Sequence, residues 1–314
     1  MPLAGHVKGQ GRVCYNQVNA AGPFRLRTER GQPMSATTAS DDFALKGPVT
    51  IWDGPVYYRE ANSGPRPPLL LLHGWGGSSR YWRATLATLG ADRRVLAPDL
   101  PGFGDSPPLR GPASADRLAE LAIAFADTMG LEQFDLNGHS FCASVAVYVA
   151  ERYPQRVRRL VLTCMSTFRS EFERRVVEQV HNVMALWMAL RRPWMARRRF
   201  IYRAIASRFF YRLPADDTII RESFADFLKM DRRTALETAA NAGDPHINQA
   251  LQAVRCPTLV IGARQDKIMP PPGTPEVARL TPGSRLVWIE QCGHLPMVEK
   301  PEEYHRLVQE FLDT

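Results

Sequence analysis

The 314-residue chain has few cysteines and no paired spacing among them. Its five cysteines, at positions 14, 142, 164, 256 and 292, are odd in number and include no Cys-x-x-Cys pair. A metal site or a disulfide framework is therefore not expected, and a reducing compartment, the cytoplasm, fits this pattern. We expect neither a metal nor another cofactor.

The sequence also lacks a long hydrophobic run and a recognisable secretory signal. The apolar run 183–190 stops at Arg191 and Arg192, well short of the roughly eighteen residues that a membrane-spanning helix needs. Residues 1–45 have no apolar segment of the secretory type and no helical or strand periodicity. We interpret them as a flexible extension, with a transit peptide and a true start at Met34 as alternatives.

The overall composition is that of an ordinary globular protein. Hydrophobic residues make up 45% and charged residues 23%, which excludes a mostly disordered chain and a fibrous repeat. The length slightly exceeds what one hydrophobic core usually serves, so a main domain with an insertion is expected. Forty Lys and Arg against thirty-two Asp and Glu give a net charge of +8.

From residue 49 onward, short apolar runs alternate with longer helix-like segments. Such runs are typical of parallel strands buried on both faces, with helices as crossovers. The pattern predicts a doubly wound α/β fold. The predicted strands are a hairpin turning at Asp53-Gly54 and runs at 69–72, 94–97, 133–137, 157–162, 258–261 and 285–289; the predicted helices follow Ser79, cover 114–129 and 140–153, end near Leu280, and begin at Pro301.

Residues 167–247 interrupt this alternation with a segment that reads as helical throughout. A helix is expected to start at Pro193 and to run toward Tyr211, because proline cannot extend an existing helix. We predict an N-terminal extension at 1–45, a core in two parts at 46–166 and 248–314, and a helical cap at 167–247.

A candidate nucleophile lies in the sequence Gly138-His-Ser-Phe-Cys-Ala143, where a predicted strand turns abruptly into a helix. Such a turn lifts the serine hydroxyl above the sheet edge and requires small residues around it. Gly138 meets this requirement on one side of Ser140, and Cys142 stands where a second glycine is usual. The turn is expected to form, slightly reshaped.

Candidate partners for Ser140 follow two later strands. Asp266 comes after the strand 258–261, and His294 comes after the strand 285–289. All three residues are expected at the carboxyl ends of strands, where open α/β sheets place their sites. A serine hydroxyl needs a base, and the base needs an orienting carboxylate, so the set predicts nucleophilic catalysis.

A glycine-rich loop, His73-Gly-Trp-Gly-Gly77, follows the strand 69–72. Through Gly74 and Gly76, such a loop can turn backbone N–H groups toward a developing oxyanion. We assign the two donors to the N–H groups of Trp75 and Phe141. The alternative, a phosphate-binding loop, lacks its G-x-x-x-x-G-K-[ST] pattern.

Together these segments resemble the motifs of the α/β-hydrolase superfamily, in its capped branch. The resemblance covers residues 48–314 and rests on His73-Gly-Trp-Gly-Gly, Asp99-Leu-Pro-Gly-Phe-Gly-Asp-Ser106, Gly138-His-Ser, Gly262-x-x-x-Asp266 and Gly293-His-Leu-Pro-Met-Val-Glu-Lys-Pro301. It implies a mostly parallel sheet of eight strands under a helical lid. It also implies that Ser140 is the nucleophile, His294 the base and Asp266 the orienting acid.

One motif of this sequence differs from the usual superfamily pattern, and two other features indicate which members of the superfamily it resembles in its chemistry. Cys142 and Ala143 replace the frequent Gly-Gly pair after the nucleophile. Some relatives carry the acid after the strand that precedes the cap, but 163–167 contains no carboxylate, which favours Asp266. A serine nucleophile disfavours the epoxide hydrolase and haloalkane dehalogenase chemistry of relatives with an aspartate nucleophile.

The cap combines aromatic residues with arginine. Its Trp, Phe and Met side chains are expected mainly to pack as core and partly to line an apolar pocket, which predicts a hydrophobic substrate. From 169 to 213 there are eleven Arg and three Glu, and 11 − 3 equals the +8 of the whole chain. The arginines indicate either a solvated helix face or attraction to an anionic lipid surface or an anionic substrate group.

These observations favour a serine hydrolase that cleaves a carboxylic ester or thioester of a hydrophobic substrate. The alternatives are hydrolysis of a carbon–carbon bond in a β-diketone-like substrate, and a non-hydrolytic ligand-binding or cyclase member of the same fold. Nucleic acid is not an expected partner, since no binding motif accompanies the arginines. We expect a cytoplasmic protein that either is free in solution or contacts a membrane peripherally. The sequence does not indicate an oligomeric state.

Overall fold

A computed structural model describes residues 43–52, 54–167, 188, 190–240 and 244–314. Nearly all of the predicted extension, including Met34, lies outside these residues. So do Asp53 of the predicted hairpin turn and the first part of the predicted cap, 168–187. The domain boundaries stay a prediction.

The described residues form one eight-stranded sheet. Its strands are β1 (Lys46–Ile51), β2 (Gly54–Asn62), β3 (Arg66–Leu72), β4 (Arg93–Pro98), β5 (Phe134–His139), β6 (Val157–Thr163), β7 (Thr258–Ala263) and β8 (Arg285–Ile289). The spatial order is β1-β2-β4-β3-β5-β6-β7-β8. Strands β3 to β8 pair in parallel, while β2 pairs antiparallel with both β1 and β4. The predicted mostly parallel, eight-stranded sheet is confirmed.

Helices connect the strands and form the described part of the insertion. They are α1 (Arg83–Leu89), α2 (Ala115–Thr128), α3 (Phe141–Arg152), α4 (Arg199–Ala206), α5 (Thr218–Lys229), α6 (Arg232–Ala240), α7 (Ile247–Ala253), α8 (Thr274–Leu280), α9 (Pro296–Glu299) and α10 (Pro301–Asp313), with short 3-10 helices at Ser79–Trp82, Pro193–Arg197 and Pro271–Gly273. Helix α2 begins where the Ser114 side chain accepts a hydrogen bond from Arg117 N, a standard N-cap. Pro301 occupies the first turn of α10, a position that favours proline.

Alternating leucines in β3 show why both faces of the sheet carry helices. Leu70 and Leu72 pack in one buried cluster with side chains of α2 and α3, whereas Leu69 and Leu71 pack in a second cluster with α1 and α10. All four are fully buried. Since successive strand side chains point to opposite faces, a continuous apolar run fits a strand covered on both sides.

The described cap residues form a third, smaller hydrophobic cluster of Tyr202, Ala206, Phe210, Ile220 and Phe224. Two details differ from the expectations above. In place of one helix from Pro193 toward Tyr211 there are a 3-10 helix at Pro193–Arg197 and, after an extended Arg198, α4, which ends at Ala206. Trp194 and Phe200, expected mainly as core, are 55% and 72% exposed.

No helix in the described ranges has the length and hydropathy needed to cross a membrane. Four of the cysteines, at 142, 164, 256 and 292, are buried as free thiols, and Cys14 lies outside the described residues.

Candidate active site

Three strands deliver Ser140, Asp266 and His294 to the same edge of the sheet. Ser140 directly follows β5, Asp266 follows β7, and His294 follows β8. Strands β5 and β7 both flank β6, and all four of β5 to β8 run parallel. Residues that leave these strands at their carboxyl ends therefore meet above one edge.

The three side chains form a continuous hydrogen-bonded chain. The Ser140 hydroxyl lies 2.8 Å from Nε2 of His294, and Nδ1 of His294 lies 2.7 Å from Oδ2 of Asp266. A carboxylate can only accept, so Nδ1 carries the proton and Nε2 is free to accept from the serine. All three side chains are buried, which keeps water from competing for these bonds.

Ser140 occupies a strained backbone conformation at the strand-to-helix turn. Its φ of 56° and ψ of −123° are unfavourable for any residue with a side chain. Gly138 is required two residues earlier, because a Cβ there would lie 2.3 Å from the carbonyl oxygen of Cys142. Cys142 itself is buried within the first turn of α3, so its side chain fits where glycine is usual.

The Asp266 carboxylate is held in its ionised form. Burial alone would raise its pKa, but the charge and hydrogen bond of His294 and two backbone N–H groups outweigh that effect and lower the pKa. Those N–H groups, from Ile268 and Met269, donate to Oδ1 at 2.8 and 2.9 Å. Oδ2 thus stays available to orient His294.

The glycine-rich loop comes close to the serine. A Cβ added to Gly74 would lie 3.0 Å from Cβ of Ser140, so only glycine lets the loop backbone approach this closely. Within the described ranges, no acceptor lies in hydrogen-bonding distance of the Trp75 backbone N–H. Phe141 is the first residue of α3, where a helix leaves N–H groups without intrahelical partners. Both groups are suited to bind an oxyanion beside Ser140.

Side chains of the cap and of the loop brace this arrangement. The Trp75 indole N–H donates to Thr238 Oγ1 of α6 at 3.0 Å. Gly76 has a φ of 73° and packs so closely on Phe227 of α5 that a Cβ would lie 2.6 Å from its ring. The loop therefore has the cap directly above it.

His73 has a structural rather than a reactive environment. Its Nε2 accepts from the Leu100 N–H at 3.0 Å, and its Nδ1 lies 3.0 Å from the Gly74 carbonyl oxygen. Burial lowers its pKa, so the ring stays neutral with its proton on Nδ1. His73 thus ties the glycine-rich loop to the loop after β4.

Tyr81 and His139 were given no role by the sequence reasoning, yet they lie directly beneath the site. His139 Nε2 donates to the His294 carbonyl oxygen at 2.8 Å, and His139 Nδ1 lies 2.9 Å from the Tyr81 hydroxyl. The Gly74 N–H in turn donates to the Tyr81 oxygen. His139 carried one available signal, its position inside the Gly-His-Ser motif, but Tyr81 carried none.

Glu299 and Phe209, also unassigned by the sequence reasoning, join the cap to the loop that bears His294. The Glu299 carboxylate accepts from the backbone N–H groups of Gly293, Tyr211 and Arg212 at 2.7, 3.1 and 2.6 Å. The His294 N–H donates to the Phe209 carbonyl oxygen at 2.6 Å, and the two rings lie 6.1 Å apart. The apolar ring of Phe209 therefore lies beside the imidazole ring of His294.

One group of side chains has the composition of a metal site. Donor atoms of His139, Cys164 and His294 lie within 4.8 Å of one another, and all three residues are buried. Both ring nitrogens of each histidine already have hydrogen-bond partners. Burial also raises the pKa of the Cys164 thiol, which disfavours the thiolate that a metal would bind. These residues are better explained as the support of the triad.

Comparison with known proteins identifies the family of the fold. The family model described as the alpha/beta hydrolase fold matches residues 67–301. The chain is 32% identical over 253 residues to a 2-hydroxymuconate semialdehyde hydrolase of Pseudomonas putida, covering 78% of this chain and 86% of the relative.

Two further similarities concern esterases. A pimeloyl-[acyl-carrier protein] methyl ester esterase of Neisseria meningitidis is 29% identical over 247 residues, which is 77% of this chain and 76% of the relative. The solved structure of a thermophilic esterase from Thermogutta terrifontis superposes with a TM-score of 0.68 at 26% identity, covering 83% of this chain and 93% of that one.

Proposed function

The chain belongs to the α/β-hydrolase fold family, and from that premise we propose that it is a serine hydrolase of carboxylic esters or thioesters with a hydrophobic portion. The observation that carries the proposal is the unbroken hydrogen-bonded chain from Ser140 through His294 to Asp266. It has the polarity that a hydroxyl nucleophile needs, with a neutral base accepting from the serine and a carboxylate behind it.

In the first half of the reaction, Ser140 Oγ attacks the substrate carbonyl carbon while His294 Nε2 takes the hydroxyl proton. Asp266 stabilises the imidazolium that forms. The carbonyl oxygen becomes an oxyanion, which the N–H groups of Trp75 and Phe141 bind. The carbon–oxygen or carbon–sulfur bond then breaks, and His294 returns the proton to the leaving alcohol or thiol. The acyl group remains on Ser140.

In the second half, water attacks the acyl-enzyme. His294 accepts a proton from the water as its oxygen bonds to the acyl carbon, and the same N–H groups bind the second oxyanion. The bond to Ser140 Oγ breaks, and His294 gives the proton back to the serine. The products are a carboxylic acid and the resting enzyme.

The surroundings of the site support a substrate with an apolar portion. Phe209 borders His294, and Phe227 lies over the glycine-rich loop with its ring centroid 5.8 Å from that of Trp75. Small-molecule sites are largely lined by such side chains, with few polar groups to orient the reacting bond.

Hydrolysis of a carbon–carbon bond next to a carbonyl is the second candidate. It is favoured by the name of the P. putida relative, 2-hydroxymuconate semialdehyde hydrolase. The same serine, histidine and oxyanion donors would serve it, with a carbanion in place of the alkoxide as leaving group.

Labelling with a fluorophosphonate probe tests the serine mechanism. We expect the wild-type protein to be labelled at Ser140 and Ser140→Ala to lose both the label and turnover, on the order of a million-fold if the triad acts as a unit. Ser207→Ala is the control, since this cap serine is exposed and its hydroxyl donates to the backbone carbonyl oxygen of Ala204 in α4. Turnover that survives in Ser140→Ala would exclude the acyl-enzyme.

A substrate panel then separates the two candidates. Esters and thioesters with short and long acyl chains are compared with a vinylogous diketone at equal concentration. A higher kcat/KM for the esters supports the first proposal, and a higher kcat/KM for the diketone replaces it with the second.

A further inference from the structure

The arginine excess of the cap lies on its surface. Residues 190–213 contain eight arginines and no Asp or Glu. Arg197, Arg198 and Arg199 are consecutive and exposed, and they continue into the exposed Phe200. With Arg203 these four line a surface depression of about 700 Å³.

The arginines of this depression differ in how far their charge is neutralised. Asp217 forms ion pairs with Arg199 and Arg203. Among the described residues, no carboxylate lies within ion-pair distance of Arg197 or Arg198. Both residues are exposed, so their guanidinium groups are accessible from solvent.

Large apolar side chains close to them along the chain are also exposed. Leu190, Trp194 and Phe200 are 65%, 55% and 72% exposed. Phe200 points away from the buried side of α4, where Tyr202 and Ala206 pack into the cap cluster. Packing within the folded chain therefore does not explain why these three positions carry large apolar side chains.

We propose that Leu190, Trp194, Arg197, Arg198 and Phe200, here called the cap patch, bind the surface of a bilayer that contains anionic lipids. Arginines bind lipid phosphates, while Trp, Phe and Leu enter the boundary between headgroups and acyl chains. A free phosphate would use the arginines alone and leave the three apolar side chains unexplained. Charge complementarity and the apolar side chains together favour the bilayer.

The cap patch is close along the chain to Phe209, which contacts the loop that bears His294. Helix α4 ends at Ala206, and three residues later the Phe209 carbonyl oxygen accepts from the His294 N–H. A bilayer bound at the cap patch would therefore lie near the part of the cap that borders the active site. The binding itself needs no catalysis, so it is tested independently of the proposed reaction.

Co-sedimentation of the full chain with vesicles tests the proposal. We expect binding to vesicles of phosphatidylglycerol and phosphatidylcholine in equal parts, little binding to phosphatidylcholine alone, and weaker binding as salt rises. Each basic residue near an anionic surface contributes roughly a fivefold factor in affinity, so Arg197→Gln with Arg198→Gln should lower affinity roughly twenty-five-fold. Trp194→Ala with Phe200→Ala should also lower it, because the apolar contact is lost.

Arg255→Gln with Arg285→Gln is the matched control, since it removes the same charge. Both arginines are exposed. Arg255 lies shortly before β7 and Arg285 is the first residue of β8, so both are at the sheet edge opposite the active site. This control should bind as wild type does, and so should Ser140→Ala.

Three results would overturn the proposal. They are no binding of wild type to the mixed vesicles, equal loss in the control pair, or full binding by both cap-patch variants. Displacement of the protein from the vesicles by millimolar inorganic phosphate would likewise overturn it, since it would show that the arginines form a simple anion site.

Discussion

The Tyr81 hydroxyl lies 2.9 Å from Nδ1 of His139, and this contact joins the 3-10 helix at Ser79–Trp82 to the end of β5, next to Ser140. Burial lowers the pKa of His139 to about 3, so its ring is neutral and has one donor and one acceptor. Its Nε2 faces the His294 carbonyl oxygen, which can only accept, so the proton is on Nε2. Tyr81 must then donate to Nδ1 while its oxygen accepts from the Gly74 N–H. Tyr81 thus links the glycine-rich loop, through Gly74, to the loop that bears His294, through His139.

Replacing Tyr81 with phenylalanine should slow the chemical step more than it weakens substrate binding. The Gly74 N–H and His139 Nδ1 would both lose a buried partner, which costs about 1–3 kcal/mol of stability for each group. A shift of the loop and of His294 then lowers kcat by roughly ten- to a hundred-fold, because reacting groups must be placed within a fraction of an ångström. Steady-state kinetics with separate kcat and KM values check this.

Tyr304→Phe is the matched control for Tyr81→Phe. Its hydroxyl is buried and bonds to the side chains of Asn137 and Thr163 at 2.7 and 3.0 Å, rather than to the glycine-rich loop or His139. It should lose stability with kcat nearly unchanged. Equal loss of kcat in both variants would mean that Tyr81 acts only through general stability.

The sequence was sufficient to predict where Ser140, Asp266 and His294 meet. Each follows a segment that the alternation of short runs and helices predicts as a strand, and the carboxyl ends of parallel strands share one edge. The alternation of strands and helices likewise predicted the doubly wound sheet. These inferences need only local pattern and a general rule of topology.

Contacts between distant loops could not be predicted in that way. Tyr81 follows an irregular loop, so its approach to His139 depends on the packing of the 3-10 helix at Ser79–Trp82. The expected helix toward Tyr211 was too long: α4 ends at Ala206, and the Phe209 carbonyl oxygen accepts a hydrogen bond from the distant His294 N–H. Nothing in the local sequence encodes that partner.

Glu299→Gln should loosen the attachment of the cap to the His294 loop. The carboxylate accepts three backbone hydrogen bonds, whereas an amide offers one oxygen and places an NH₂ group against a donor. We expect a loss of about 1–3 kcal/mol and faster tryptic cleavage within the arginine-rich cap. Glu290→Gln, an exposed residue paired with Arg264, is the control and should show neither effect. Unchanged cleavage in Glu299→Gln would contradict the attachment.

Cys142→Ala and Gly138→Ala should differ sharply although both alter the turn around Ser140. Removing the buried thiol leaves only a small void, so Cys142→Ala should lose about 1 kcal/mol with kcat within about twofold. A Cβ on Gly138 would lie 2.3 Å from a backbone oxygen that cannot move without shifting Ser140. Gly138→Ala should therefore abolish turnover or folding. Thermal unfolding and esterase assays distinguish these results, and similar losses in the two variants would refute this account of the turn.

His305 provides a pH-dependent contribution to stability that is separate from the active site. It lies on α10, is 4% exposed and bonds through Nε2 to Thr85 Oγ1 at 3.0 Å. Burial lowers its pKa from 6.5 to about 4. In the unfolded chain the ring therefore takes up a proton near pH 6.5, while the folded protein takes it up only near pH 4.

Between these two pH values the unfolded state binds one more proton than the folded state, so the stability due to His305 falls as the pH falls. The loss is about 1.4 kcal/mol per pH unit and about 3 kcal/mol in total. His305→Gln keeps a hydrogen-bonding group for Thr85 but cannot titrate, so it should reduce the slope by that amount. Urea unfolding at a series of pH values measures the slope, and activity at neutral pH should be unchanged. An identical slope in both proteins would show that His305 is protonated in the folded state.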